Sequence, residues 1–199
     1  MCTHHVQPSV MSMMVYNSNG VSSSLAKPSK EQFWNSDKTR GDGKAMLVPV
    51  ITLSSVINAI PTTTNISLIK TDMQGFDFVA IKEAATALKK RVTHLYTEVW
   101  FDDTYTYHAE NDLCRDWLPF MTELGYVLVR TNGKGDDVKE IRANCEKQLK
   151  DRPVRPDVEA SAGLNEGDAF WVREDAVGEP FPQCETTPPN FSANEYSSC

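Results

Sequence analysis

The sequence predicts an α/β fold in which helices pack against a mostly parallel sheet, and two observations lead to this class. Apolar, β-branched runs of strand length alternate with amphipathic segments of about 10 to 15 residues, which is the pattern of β-α-β units. The chain has 199 residues, of which 40% are apolar, and can therefore bury one sizeable core. Strands joined by such helices pair in parallel through right-handed crossovers.

The individual elements follow from hydrophobic periodicity and from turn residues. The predicted strands are 9–16, 46–53, 66–71, 92–100, 126–131 and 168–174. The predicted helices are 53–60, 76–91, 111–124 and 138–149. Pro49 confines the second strand to an edge, Pro119 predicts a kink, and Gly125 is placed to end the third helix. Residues 1–174 are expected to form the folded domain, and 175–199 an acidic tail rich in proline and serine.

Charge and cysteine content exclude several classes of function. Residues 1–100 carry a net charge of +3 and residues 101–199 a net charge of −10, so a nucleic-acid partner is not expected. No signal peptide or membrane-length apolar run is visible, which predicts a cytoplasmic protein without membrane insertion. The five cysteines are widely spaced and lack a CxxC pair, which favours free thiols and no metal site.

The stretch "LIKTDMQGFD" places an acidic residue where a predicted strand ends and a glycine turn leads into a helix. Asp72 ends this strand and Glu98 ends the next one, so in neighbouring strands their backbones would lie about 4.8 Å apart. Two carboxylates that close raise the proton affinity of one of them, which makes it a candidate general base. The structural alternative is that Asp72 caps the following helix and Glu98 pairs with a surface lysine or arginine.

Several motifs in order resemble one known family. "LIKTDMQGFDFVAIKEA" is similar to the central motif of FkbM-type methyltransferases, and "NSNGVSSSL", "VPVITLSSVI", "TEVW" and "MTELGYVLV" match around it. The resemblance spans roughly residues 10–129. Gln74 stands where the family motif has an acid or glutamine, so one negative charge is absent there.

The resemblance implies a class I, Rossmann-like fold and methyl transfer from S-adenosylmethionine to a hydroxyl oxygen of a sugar, lipid or small metabolite. Asp72 and Glu98 would be the catalytic residues. The residues implied to hold the cofactor are Lys70, Gln74, Gly75, Ser23 and Ser24. Tyr107 and His108 follow Glu98 closely and are candidates for substrate contact, the alternative being a solvated loop.

The family likeness also predicts a departure from a whole class I domain. In such a domain the first strands carry the glycine-rich turn and the acidic residue that binds the ribose of the cofactor. By this likeness those strands would precede residue 1. A partial sheet with an antiparallel last strand is therefore expected. Strand 66–71 would then be an edge open to self-association. The competing hypothesis is a non-catalytic, truncated module that binds a partner or substrate without the cofactor.

Overall fold

The structure is a computed structural model. It describes residues 9–15, 23–26, 44–101, 109–132, 137–155 and 165–179. The strands are β1 (Ser9–Val15), β2 (Lys44–Val50), β3 (Ile66–Thr71), β4 (Val92–Trp100), β5 (Tyr126–Asn132) and β6 (Glu166–Arg173). The α-helices are α1 (Leu53–Ala59), α2 (Asp77–Glu83), α3 (Ala85–Arg91), α4 (Leu118–Leu124) and α5 (Val138–Asp151). A π-helical turn, Leu113–Trp117, precedes α4, and a 3-10 turn, Glu174–Ala176, follows β6. Within these ranges no helix is long and apolar enough to cross a membrane.

The main sheet has four strands in the order β3-β4-β6-β5. β3 and β4 pair in parallel, whereas β6 runs antiparallel to both β4 and β5. Three strands therefore point the same way and the last strand in the chain is reversed. This confirms the α/β class, but the sheet is mixed: only β3 and β4 pair in parallel, and β6 lies between β4 and β5.

β1 and β2 form a separate antiparallel pair. Pro49 lies in β2, opposite Val10, and has no strand on its other side among the described residues. The expectation that this proline restricts its strand to an edge is confirmed there. The backbone of Met14 also pairs with Ser24, which ties this strand pair to the short described segment 23–26.

The larger of two hydrophobic clusters in the described residues lies between the sheet and the helices. Leu95 and Val99 of β4 and Trp171 of β6 are fully buried and contribute to the same cluster as the helical residues. Trp171 stacks on Trp117 at a centroid distance of 6.1 Å. Because side chains alternate across a strand, the even-numbered residues of β4 and β6 lie on the opposite face of the sheet. That face carries the candidate site.

Two predicted helices differ from the observed ones. The helix expected over 76–91 is divided at Ala84, whose N–H bonds to the carbonyls of Ala80 and Lys82. The helix expected from 111 begins as the π-helical turn Leu113–Trp117, which runs directly into α4. Pro119 lies in the first turn of α4, and the kink expected there stays a prediction. Gly125 ends α4 with φ 87°, which confirms the predicted stop.

The prediction of free thiols is wrong for two of the five cysteines. Cys114 in the π-helical turn and Cys145 in α5 form a disulfide, with Cα atoms 5.0 Å apart. Both residues are buried. The bond joins α5 to the π-helical turn Leu113–Trp117. Spacing in the sequence could not reveal it, because it depends on how the two helices pack.

Replacing both cysteines, as Cys114→Ala with Cys145→Ala, is expected to lower the free energy of unfolding by about 3 kcal/mol, because the crosslink closes a loop and restricts the unfolded chain. Urea denaturation of the variant and of the unreduced protein measures the difference. Peptide mapping without reduction is the control. Recovery of both cysteines as free thiols from the folded protein would contradict the crosslink.

Candidate active site

The parallel pairing of β3 and β4 brings two strand ends together. Thr71 lies opposite Thr97, and the next residues along the two strands are Asp72 and Glu98. Glu98 in turn lies opposite Asp168 on β6. Carboxyl groups from three chain segments therefore meet at one edge of the sheet, as the sequence predicted for the first two.

A tight turn after β3 shapes this edge. Gln74 and Gly75 both adopt left-handed backbone conformations, with φ 50° and φ 90°. Such a conformation is uncommon for a residue with a side chain, and it is held here by neighbouring contacts. The Ser24 hydroxyl donates to the carbonyl of Gln74 at 2.7 Å, and the Met73 N–H donates to the Asp77 carboxylate at 3.1 Å.

The side chain of Gln74 connects the two candidate acids. Its amide nitrogen donates to Asp72 Oδ1 and to Glu98 Oε2, each at 3.2 Å. The two carboxyl groups therefore lie on the same side of the sheet and within reach of one small polar group. Asp72 is exposed to solvent, whereas Glu98 is only 8% exposed.

Burial and like charges act strongly on Glu98. Removal from water is the largest cause that raises its pKa to about 9, and the carboxyl groups of Asp77, Glu166, Asp72 and Asp168 add to it, in that order. Its Oε1 is buried and accepts no hydrogen bond from the described residues. The two acids thus differ in environment although they share a partner.

Asp77 opens α2 beneath the turn and is completely buried. Burial raises its pKa to about 6, although the nearby Thr71 side chain and the hydrogen bonds from the Met73 N–H act in the opposite direction. Glu166, the first residue of β6, also has a raised pKa, because of partial desolvation and the nearby Asp72 and Asp168. Acidic side chains therefore cluster at this end of the sheet.

A row of side chains crosses the same face of the sheet. The Tyr96 ring stacks on Phe170 at 4.3 Å, the Lys70 ammonium lies 5.2 Å from the Tyr96 centroid, and Arg130 lies 4.0 Å from that of Phe170. The Tyr96 hydroxyl donates to Asp168 at 2.8 Å, and desolvation followed by this acid raises the pKa of Tyr96 to about 12. The row links the acidic edge to the middle of the sheet.

The structural alternatives were helix capping by Asp72 and an ion pair between Glu98 and a surface lysine or arginine, and the described residues show neither. The residue at the N-cap of α2 is Phe76, without a side-chain cap, so Asp72 does not cap that helix. The hydrogen bond of Glu98 is to Gln74 rather than to a lysine or arginine.

The other predicted site residues are placed as follows. Lys70 lies over the Tyr96 ring, Gly75 is buried in the turn, and Ser23 is half-buried beside Ser24. The Ser24 hydroxyl is engaged by the Gln74 carbonyl and by the Ala26 N–H. Tyr107 and His108, the predicted substrate contacts, lie outside the described residues.

Sequence reasoning missed Asn111, which fixes the end of β4. Its side-chain amide donates to the Glu98 carbonyl at 3.3 Å, and its own carbonyl accepts from the Trp100 N–H at 2.9 Å. The Trp117 indole donates to the Asn111 side-chain oxygen at 3.1 Å. The sequence signal was the polar pair before the helix, where Asp112 caps the π-helical turn.

A cavity of about 550 Å³ lies at the other end of the sheet, and neither Asp72 nor Glu98 lines it. Arg91 and Arg173 line it, but both are already engaged: Arg91 donates to four backbone carbonyls, and Arg173 to Asp175 and the Val92 carbonyl. They join elements rather than present free donors. In the described ranges, no three His, Cys, Asp or Glu side chains are arranged to hold a metal ion.

Comparison with protein-family models matches residues 3–128 to the model described as the methyltransferase FkbM domain. The match covers more than half of the chain and includes β3, the Gln74 turn and β4. Neither the curated proteins nor the solved structures gave a match.

Ser24→Ala is expected to lower the free energy of unfolding by about 1 kcal/mol, because the partly buried Gln74 carbonyl loses its hydroxyl donor. Ser23→Ala is the matched control, since no hydrogen bond joins its hydroxyl to the described residues. Urea denaturation compares the two variants. Equal stabilities would show that the Ser24 contact does not hold the turn.

Proposed function

The chain belongs to the FkbM methyltransferase domain family, and from this premise we propose that it methylates a hydroxyl oxygen of a sugar, lipid or small metabolite with S-adenosylmethionine as donor. The observation that carries the proposal is the convergence of Asp72 and Glu98 on the Gln74 amide. A hydroxyl group is a poor nucleophile until its proton has an acceptor, and a positioned carboxylate can be that acceptor.

The acidic edge suits the chemistry of this donor. S-adenosylmethionine supplies an electrophilic methyl group, whose bond to sulfur breaks as its bond to the acceptor oxygen forms. The negative potential from Asp72, Glu166 and Asp168 favours a positively charged sulfonium nearby. The residues proposed to hold the cofactor are Lys70, Gln74, Gly75, Ser23 and Ser24.

The side chains of the turn would act mainly by position. Asp72 is exposed at the end of β3, where it can meet a hydroxyl and accept its proton. Gln74 keeps Asp72 and Glu98 at a fixed spacing through its two hydrogen bonds. Holding reactants in a near-attack geometry removes much of the entropic barrier, so a well-held turn is part of the proposal. Tyr107 and His108 are the proposed substrate contacts.

We propose further that the four-stranded sheet is part of a class I, Rossmann-like methyltransferase sheet, within a domain of residues 1–174 followed by a tail of 175–199. The directions of the strands support this assignment, since three agree and the last is reversed. β3 pairs with β4 on one side, and no described strand pairs on its other side. Self-association through that edge is the proposed consequence, which size-exclusion chromatography measures.

A cytoplasmic location is also part of the proposal, and the disulfide is the observation that opposes it. Cytosolic proteins keep most thiols reduced, so a Cys114–Cys145 bond is more typical of an oxidising compartment. Fractionation of the native cells, with mapping of this bond, decides between the two locations.

Asp72→Asn is expected to slow methyl transfer by about 10² to 10⁴-fold, because the amide cannot accept the hydroxyl proton. The measurement is transfer of labelled methyl from S-adenosylmethionine to a panel of hydroxyl compounds. Asp151→Asn, an exposed position at the end of α5, is the matched control. Equal rates in Asp72→Asn and the wild type would remove Asp72 from the mechanism.

A further inference from the structure

Glu98 is a buried acid surrounded mainly by other acids. The facing groups are Asp72 after β3, Asp77 of α2, and Glu166 and Asp168 of β6. The cations on this face are engaged elsewhere, with Lys70 over the Tyr96 ring and Arg130 over that of Phe170. A buried charge without a cationic partner is costly, so the surroundings favour the neutral form of Glu98.

The two oxygens of Glu98 have different surroundings. Oε2 accepts the hydrogen bond from the Gln74 amide at 3.2 Å, which suits a carbonyl oxygen. Oε1 is buried and has no hydrogen-bond partner among the described residues. An ionised oxygen there would be a buried charge without a donor, which costs more than a neutral hydroxyl in the same place. The geometry therefore assigns the proton to Oε1.

The backbone at Glu98 is fixed in this position. Glu98 pairs with Asp168 across β6, and the Asn111 side chain donates to the Glu98 carbonyl at 3.3 Å. The indole of Trp117 in turn orients Asn111. These contacts bind the end of β4 to the core, so the carboxyl group is held at the site rather than swung into water.

Resting on the proposed function, we propose that Glu98 keeps its proton on Oε1 at neutral pH and does not act as the base. Asp72 is then the residue that takes the hydroxyl proton. The environment thus gives the two acids different roles: the buried acid stays neutral, and the exposed acid accepts the proton. The raised pKa of Glu98 described above agrees with this assignment. Asp72 is then the base, whereas the sequence led us to expect that role for the acid with the raised proton affinity.

The first test measures protonation without any reaction. Carbon-13 labelling of glutamate carboxyl groups allows the protein to be followed by NMR from about pH 5 to about pH 10. One carboxyl signal is expected to stay in its protonated position through neutral pH and to vanish in Glu98→Gln. Glu166→Gln assigns the other perturbed signal, and Glu123→Gln, an exposed position in α4, is the control. Ionisation of every glutamate below about pH 6 would overturn the proposal.

The stability of the wild type relative to Glu98→Gln provides a second test that is independent of activity. Between the ordinary glutamate value of 4.5 and about 9, the folded protein holds a proton that the unfolded chain has released. Its stability must therefore fall as pH rises through this window. The unfolding constant of the wild type is expected to rise up to about tenfold per pH unit relative to the variant. A constant ratio across the window would contradict a retained proton.

Failure of this proposal and failure of the proposed function give different results. Ordinary titration of Glu98 by NMR, with Asp72→Asn still slowing methyl transfer, would contradict the retained proton alone. Unchanged transfer in Asp72→Asn would contradict the proposed function instead.

Discussion

The arrangement depends on one side-chain amide that bridges two acids. Gln74 can reach Asp72 and Glu98 together only because its backbone is left-handed and because β3 and β4 end side by side. Ser24 holds the carbonyl of the same residue from an upstream segment. The position of Gln74 therefore depends on an uncommon local conformation, on two parallel strands and on a serine distant in the sequence. Removal of any of these would let the carboxyl groups separate.

The environment gives the two acids unlike properties although they share a donor. Asp72 lies at the surface, while Glu98 is enclosed between strands and clamped through Asn111. A cluster of acids is costly when all of them are ionised, and the cost falls most heavily on the member with least access to water. Fold and chemistry are thus coupled, because the packing that buries Glu98 also sets its proton affinity.

Much of this could be predicted from the sequence where the physics is local. Alternating strands and helices, the stop at Gly125 and the neighbouring ends of β3 and β4 follow from periodicity and from turn residues. The remaining features depend on contacts between distant segments. They include the position of β6, the Cys114–Cys145 bond, and the clamp made by Asn111. The bridging role of Gln74 also escaped prediction, because a substitution of an acid by glutamine indicates lost charge but not the side chain's direction.

The central claim is that the acidic edge beside the Gln74 turn belongs to a methyl-transfer site that recognises S-adenosylmethionine. Calorimetric titration of the purified chain with this compound tests it most directly. Saturable binding with one site per chain is expected. Absence of binding to the folded protein would contradict the account and would favour a non-catalytic member of the family.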